Sequence, residues 1–340
     1  MKHLQKVLLG FCSTAALLSS SAVWADGEVN VYSYRQPFLV EPLFDAFTKE
    51  TGIDVNVVFD DKGLIERLKQ EGRNSPADLI VTVDIGRLQE AVDAGVTQAV
   101  SDAVLEQNIP SQFRDPAGHW FGLTLRARLI AASKDRVAEG AIQSYEDLAD
   151  PQWQGKICSR SGKHVYNVAL LASMIAHHGE EQAEQWLTGV KNNLARKPQG
   201  NDRAQVKAIK EGECDIAVIN NYYIGLMLHN EEQKAWAEAV NVVFPNQSDR
   251  GTHVNISGMA LTQSAPNKEN AIKLMEFLSD DQAQQIYARQ NFEYPVKPGV
   301  TWPDLLQSWG EFKIDELPLA TVSQNRKAAI LMVDRVGFDD

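Results

Sequence analysis

The sequence predicts an α/β fold of two lobes, each built on a mixed sheet flanked by helices and joined by a hinge of two strands. Its 340 residues exceed the roughly 100–200 residues that are usual for a single domain. Segments with strand and helix periodicity alternate along most of the chain. No stretch rich in proline, glycine and serine separates the halves, so ordered strands rather than a flexible linker are expected to connect them.

The first part of the chain alternates regularly between strands and helices. The predicted elements are strand 28–33, helix 38–51, strand 53–59, helix 63–72, strand 78–83 and helix 85–94. In the first helix, leucines and phenylalanines share one face, and Gly52 ends the segment. Such alternation is typical of a parallel sheet with helices on both faces. Ligands bind these sheets beyond the carboxyl ends of the strands.

A second α/β series follows an extended segment at 120–130. Its predicted elements are strand 156–158, helices 167–178, 180–193 and 202–211, strands 215–219, 241–244 and 257–261, and helices 267–278 and 280–290. We expect the chain to cross between the lobes near Arg126 and to return near 250–252. The first lobe then comprises 26–126 plus about 251–300, and the second 127–250 plus about 301–340. Two such lobes enclose a cleft that can close on a ligand.

The first 25 residues have the pattern of a secretory signal peptide. Lys2 and Lys6 precede a short apolar run, and Val23 and Ala25 stand at the −3 and −1 positions of a cleavage site. The run is shorter than the roughly 20 residues that a membrane-spanning helix needs. Cleavage after about Ala25 predicts an exported mature protein without a membrane span.

The composition disfavours several classes of function. A hydrophobic fraction of 44% is ordinary for a globular protein, so general disorder is not expected. The 33 Lys and Arg residues against 45 Asp and Glu residues give a net charge of −12. Loss of Lys2 and Lys6 with the signal peptide takes this charge to −14. Such a protein is not expected to bind nucleic acid or anionic membranes nonspecifically.

Two cysteines, Cys158 and Cys214, remain once the signal peptide and its Cys12 are removed. In an oxidising compartment an even pair favours one disulfide. The alternative is that both are small buried residues on neighbouring strands and remain reduced. Without a CxxC spacing they do not predict a metal site.

Three tyrosines stand where the cleft is expected. Tyr222 and Tyr223 are adjacent at the end of the buried strand 215–219, and Tyr166 lies at the start of a helix. Three phenol oxygens that meet at one point suit a hard, highly charged cation such as ferric iron, because bound metal stabilises the phenolate form. A tyrosine pair after a strand is more often a packing feature with its hydroxyls at the surface. Spacing alone therefore leaves both interpretations open.

Five short motifs occur in a characteristic order along the chain. They are VYSYRQP at 31–37, GLTLRAR at 122–128, SGKHVYN at 161–167, ARKPQG at 195–200 and NNYY at 220–223. As a set they resemble the periplasmic ferric-iron-binding proteins of ABC transporters, a bacterial transferrin-like family of extracellular solute-binding proteins with a type II-like fold. The resemblance runs from about residue 28 almost to the C-terminus. It implies that Tyr166, Tyr222 and Tyr223 bind ferric iron as cargo for an inner-membrane ABC permease.

One departure from the family pattern concerns the first lobe. Many relatives place a His, or a His-Tyr pair, just after the opening Tyr-Ser-x-Arg, where this chain has Gln36 and Pro37. The resemblance then implies the branch in which carbonate or bicarbonate completes the iron shell, held by Arg35, Gln36 and Arg126. Arginine suits this role because its planar fork of donors matches oxyanions. Ferric iron and three tyrosinates together form a neutral centre, which favours ferric over ferrous iron.

Other functions are less well supported. The mature chain has no GxSxG, SxxK, HExxH or Walker motif, so catalytic residues are not expected and a secreted hydrolase is disfavoured. A monomeric receptor for an organic anion or polyamine, using Arg126 and the tyrosines as a plain pocket, is the main alternative. His177 and His178 are expected to complement the end of a helix rather than bind metal. His164 is expected near the metal without being a ligand.

Overall fold

The computed structural model describes residues 27–340, so the predicted signal peptide lies outside the described residues. The strands are β1 Glu28–Ser33, β2 Asp54–Phe59, β3 Leu79–Thr82, β4 Phe121–Ser133, β5 Ile157–Cys158, β6 Ile216–Asn220, β7 Val240–Val243, β8 Val254–Leu261 and β9 Tyr294–Pro295. The helices are α1 Pro37–Thr51, α2 Leu64–Glu71, α3 Ile85–Asp93, α4 Ala103–Asn108, α5 Val165–Asn192, α6 Asp202–Glu211, α7 Asn221–Leu228, α8 Lys234–Ala237, α9 Lys268–Leu278, α10 Asp281–Asn291, α11 Asp304–Ser308, α12 Leu319–Gln324 and α13 Arg326–Val336.

The strands form one curled sheet in the order β2-β1-β3-β8-β4-β6-β5, with β7 and β9 also paired to β4. Strand β1 is parallel to β2 and β3, and β5 is parallel to β6. The pairs β3–β8, β8–β4 and β4–β6 are antiparallel. The sheet is therefore mixed, as predicted, and its centre is antiparallel.

Strand β4 pairs with strands on both sides of the sheet. All 13 of its residues are buried. Up to Ala127 it pairs with β8, and from Arg128 onward it pairs with β6 and then β7. The predicted crossing near Arg126 lies immediately before this change of partner. The chain returns to β8 through Gly251, whose φ of 93° and tight contact with the backbone of Ile314 leave no space for a side chain.

Most predicted elements agree with the structure to within a few residues. The helix predicted over 38–51 is α1, and Gly52 ends it in the left-handed conformation with φ 73°. The helices predicted over 167–178 and 180–193 are the two halves of α5, which Gly179 interrupts with φ 78° and ψ 165°. Helix α7 was not predicted, because its largely apolar sequence NYYIGLML has no polar face to reveal a helical period.

Packing of the helices distinguishes two groups. Helices α9 and α10 contact β1, β8 and α1, whereas α12 and α13 contact α5. A separate small core between β4, β6, α6 and α7 encloses Cys158 and Cys214, which form a disulfide with their Cα atoms 5.8 Å apart. Within residues 27–340, no helix is both long and apolar enough to span a membrane.

Candidate functional site

The residues predicted for the site lie in and beneath one cleft. The cleft contains a cavity of about 380 Å³, and the predicted residues that line it are Arg35, Gln36, Tyr166, Tyr222 and Tyr223. Arg126 is not part of the lining, since only 1% of its side chain is exposed. It lies directly beneath, with its guanidinium carbon 5.5 Å from the centre of the Tyr166 ring. The predicted set is thus brought together, with Arg126 as a buried support.

The first turn of α7 positions the adjacent tyrosines. Tyr222 and Tyr223 follow β6 without an intervening loop, and their ring centres lie 4.3 Å apart. Asn221 anchors this turn, because its side-chain amide donates a 2.7 Å hydrogen bond to the backbone oxygen of Phe292. At Gly225 the Phe292 ring packs against the helix backbone so closely that a Cβ would lie 2.3 Å from it. The orientation of the tyrosine pair is therefore fixed by contacts with the end of α10.

The start of α5 brings the third tyrosine to the same place. His164 caps the helix, and its Nδ1 accepts a hydrogen bond from the Tyr166 N–H at 3.3 Å. Burial and the charge of Arg160 lower the pKa of His164 to about 3, so the ring is neutral and able to accept. The hydroxyls of Tyr166 and Tyr222 lie 3.1 Å apart. Two oxygens at this separation can both contact one ion.

The phenols of the α7 pair are hard to ionise on their own. Burial raises the pKa of Tyr222 well above its usual value, and negative charge on Tyr166 or Tyr223 raises it further. Burial, followed by charge on Tyr166 and on Asp202, also raises the pKa of Tyr223. Both are neutral phenols at physiological pH unless a cation binds to them.

Guanidinium groups surround the tyrosine rings. The guanidinium carbons of Arg126, Arg128 and Arg160 lie 5.5, 5.8 and 5.3 Å from the centre of the Tyr166 ring. Such groups attract the ring face and stabilise negative charge on a phenol oxygen. Three cationic groups therefore lie against the face of the Tyr166 ring.

Two of these arginines are held by one buried carboxylate, Asp202. It accepts hydrogen bonds from Arg128 Nη1 at 2.7 Å, from Arg160 Nη1 at 2.8 Å and from the Asn220 N–H at 3.0 Å. Burial opposes ionisation of Asp202, but the two arginines outweigh it and the pKa of the carboxyl is lowered. Asp202 thus keeps both guanidinium groups in place behind the tyrosines.

We expect Asp202→Asn to lower the free energy of unfolding by about 3 kcal/mol at pH 7, because it leaves two buried arginines without their counter-charge. The pKa of Asp202 is lower in the folded protein than in the unfolded chain, where it is about 3.9. Ionised Asp202 therefore stabilises the folded state fully above that unfolded pKa, and this contribution is lost as the pH falls through the folded pKa. In urea unfolding, the difference in free energy of unfolding between the wild type and the Asp202→Asn variant should therefore be smaller at pH 3 than at pH 7. Asp45→Asn, on an exposed position of α1, is the control. Equal stability of the Asp202 variant and the wild type at pH 7 would contradict this assignment.

The anion site differs from the expectation in one respect. The terminal amino groups of Arg35 bind Glu293 at 3.1 and 2.7 Å, and Arg126 Nη1 approaches the same carboxylate at 3.4 Å. Ser257 Oγ accepts from Arg35 at 2.8 Å and from Arg126 at 3.0 Å. The arginine forks expected to bind the anion are thus engaged by Glu293 and Ser257. Each arginine keeps one buried Nε–H without a partner within 27–340, and Gln36 keeps its exposed amide.

The paired histidines lie elsewhere and have other partners. His177 Nε2 is 2.8 Å from Asp315, and His178 Nε2 is 2.7 Å from Glu146. These contacts connect the middle of α5 to two loops. Across residues 27–340, no three His, Cys, Asp or Glu side chains are grouped so as to hold a metal ion.

Comparison with known proteins places the chain in a family. Residues 74–309 match the family model described as bacterial extracellular solute-binding protein. The chain belongs to this family. This solute-binding protein is 44% identical over 314 residues to Iron uptake protein A1 of Synechocystis sp., a match that covers 92% of this chain and 87% of the relative.

Solved structures agree with that assignment. One is ferric iron-binding protein A of Mannheimia haemolytica in an open conformation, with a TM-score of 0.88, 54% identity, and coverage of 92% of this chain and 99% of that chain. Another is a Trichodesmium protein (IdiA, FutA) in complex with iron and citrate, with a TM-score of 0.89, 45% identity, and coverage of 92% and 100%. The solute-binding protein therefore has the two-lobed fold predicted from its sequence.

Sequence analysis missed the charged residues that support this solute-binding protein's cleft. Arg128 offered a weak signal, since it lies on the same strand as Arg126 and points to the same side of it. Asp202 is the first residue of α6, where an acidic residue is common whatever its role. Glu293 gave no signal, because it follows α10 far from Arg35 in the sequence.

Proposed function

We propose that this solute-binding protein is a periplasmic receptor that binds ferric iron in its cleft and delivers it to an inner-membrane ABC permease. The observation that carries the proposal is the 3.1 Å separation of the Tyr166 and Tyr222 hydroxyls, with the Tyr223 ring centre 4.3 Å from that of Tyr222. Hard oxygen donors of this kind prefer hard cations. The names of relatives, which refer to iron uptake and ferric iron binding, support the same cargo.

In this proposal, Tyr166, Tyr222 and Tyr223 bind the ion as phenolates. Each phenol loses its proton on binding, so three negative charges cancel the three positive charges of ferric iron. The arginines behind Tyr166 stabilise the phenolate without touching the metal. A ferrous ion in the same shell would leave a net negative charge, so the cleft retains ferric iron better. Reduction of the metal, or protonation of its anion, then provides a route to release.

A small anion, carbonate or bicarbonate, completes the shell in this proposal. The donors proposed for it are the unpartnered Nε–H of Arg35 and the amide of Gln36, two residues that line the cavity, while Arg126 acts from beneath the lining through its charge. These are single N–H groups rather than the two-pronged forks expected from the sequence, because Glu293 engages the forks. The anion is therefore expected to stabilise the iron complex less than it would if two free arginine forks held it.

Ferric iron titrated into the protein in bicarbonate buffer should produce an orange to red colour from phenolate-to-iron charge transfer. In buffer freed of bicarbonate, with chloride at the same ionic strength, we expect weaker absorption and iron affinity reduced at least tenfold, since one charge-assisted contact is worth roughly 1.5–3 kcal/mol. Returning bicarbonate should restore both. A colourless complex contradicts the tyrosine ligands, and undiminished colour and affinity without bicarbonate contradict the anion.

Further parts of the proposal concern the mature protein. We propose cleavage after about Ala25, a monomer, and lobes divided at the points where β4 and the segment after β7 cross. The division is supported by the packing of α9 with β1 and β8 and of α13 with α5, while α12 contacts both α5 and α3. A polyamine cargo is disfavoured, since cationic side chains in the cavity outnumber acidic ones. The charged lining residues are Arg35, Arg87, Arg203, Asp61 and Glu293.

A further inference from the structure

The segment just before Tyr166 is held from outside the cleft. Ser161 and Gly162 open the motif SGKHVYN, but neither lines the cavity that contains the tyrosines. Their partner is Asp339, which lies shortly after α13. Its carboxylate accepts a hydrogen bond from the Gly162 N–H at 2.7 Å and another from the Ser161 hydroxyl at 2.6 Å. The first part of the motif is therefore explained by this contact and not by the iron site.

Close packing on the same side accounts for the glycine at 162. A Cβ built on Gly162 would lie 2.8 Å from the Phe338 ring and 2.9 Å from Val333. Both of these side chains are buried, so they have little space in which to move away. The segment is thus held by two hydrogen bonds and by apolar contact with α13 and the residues that follow it.

Helix α13 is a firm support for this contact, because the second half of α5 anchors it. Lys191 Nζ donates to the backbone oxygen of Val336 at 2.9 Å, and Arg335 binds Glu184 at 2.6 Å. Met332, on the same helix, is fully buried. Asp339 therefore connects the start of α5 to a helix that is packed against the other end of α5.

Few bonds separate the anchored residues from Tyr166. The Ser161 backbone oxygen accepts hydrogen bonds from the His164 N–H at 3.1 Å and from the Asn167 side-chain amide at 3.1 Å. His164 in turn caps α5 at the Tyr166 N–H. A displacement of Ser161 is therefore passed on to the first turn of α5. Since Tyr222 stands on a different helix, such a displacement changes the separation of the Tyr166 and Tyr222 hydroxyls.

We infer that Asp339 is a positioning residue for iron binding, which sets the place of the Tyr166 oxygen relative to the tyrosines of α7. Its carboxylate holds Ser161 and Gly162, and these hold the start of α5. Groups that orient metal ligands in this way typically contribute about 10–100-fold to metal affinity. The inference rests on the proposed function, because an effect on affinity requires iron at the tyrosines.

The first test needs no metal. Hydrogen exchange in peptides covering 160–168 is compared between wild type, Asp339→Ala and the control Asp340→Ala, which removes the same charge at an exposed neighbouring position. We expect exchange at least tenfold faster in Asp339→Ala, because two hydrogen bonds that oppose local opening are lost, and no change in the control. Asp339→Asn should stay close to wild type, since its amide can accept from Gly162 and donate to the Ser161 hydroxyl.

The second test measures ferric-iron affinity of the mature protein in bicarbonate buffer by competition with a chelator. We expect Asp339→Ala to lower the affinity at least tenfold, both alone and when combined with Tyr223→Phe. Combined with Tyr166→Phe it should cost less than twofold, because the oxygen that Asp339 positions is already absent. Asp339→Asn and Asp340→Ala should bind iron as wild type does.

The outcomes separate this inference from the proposed function. Unchanged exchange at 160–168 in Asp339→Ala overturns the inference, and so does an equal loss of affinity in the Tyr166→Phe and Tyr223→Phe backgrounds. If Asp339→Ala does not fold, Ser161→Ala, which removes one of the two hydrogen bonds, replaces it with the same expected directions. Wild type that binds no ferric iron overturns the proposed function, whereas the exchange measurement still decides whether Asp339 holds the segment before Tyr166.

Discussion

Ferric-iron binding is expected to weaken by more than a hundredfold when Tyr223 is replaced by phenylalanine. The substitution keeps the ring and its packing against Tyr222, and it removes only the oxygen proposed to bind the metal. Changes to groups that merely support metal ligands typically cost about 10–100-fold in affinity, so loss of a direct ligand should exceed that range. Competition with a ferric chelator, followed by the charge-transfer absorption, measures the effect. The absorption of any residual complex should also decrease.

Tyr294→Phe is the matched control for this prediction. The Tyr294 hydroxyl is buried without a hydrogen-bond partner in the described residues, and its ring packs against Trp302 and Phe312. Tyr294 does not line the cleft, so its variant should bind iron as the wild type does. Affinity of Tyr223→Phe within threefold of the wild type would remove Tyr223 from the ligand set.

Iron affinity should rise at least 100-fold for each unit increase in pH near neutrality. Burial raises the pKa of both Tyr222 and Tyr223, so each is protonated in the free protein and must release a proton to bind as phenolate. Two released protons per iron give a slope of at least two in log affinity against pH. Lower pH therefore favours release, and the dependence continues until the pH approaches these raised pKa values.

Affinity between pH 6 and 8, measured against a reference chelator of known pH dependence, tests the slope. Tyr223→Phe supplies the internal control. This variant has one phenol fewer, so it should release one proton fewer per iron and reduce the slope by about one. A slope near zero in the wild type would show that the metal does not displace phenol protons. An unchanged slope in the variant would show that Tyr223 is not one of the groups that ionise.

The local periodicity of the sequence was sufficient to predict the elements from β1 to α3 and the mixed, two-lobed fold. The tyrosines could be predicted as candidates because they follow a strand or begin a helix, positions that topology brings to the cleft. Glu293 could not, since its bidentate partner Arg35 lies 258 positions away in the sequence. The pairing of Arg128 with Asp202, 74 positions apart, is likewise a product of tertiary packing. Neither ion pair can be recognised from the sequence immediately around its two residues.

The continuity of β4 between the two halves of the sheet has a consequence for how the cleft closes. When two bodies rotate about a shared strand, atoms near the axis are displaced least. We expect Arg126 and Arg128, which flank the point where β4 changes partners, to move less on closure than side chains farther from β4. The charged groups beneath the tyrosines would then be in place before the cargo binds, and closure would cost little free energy in reorganising them.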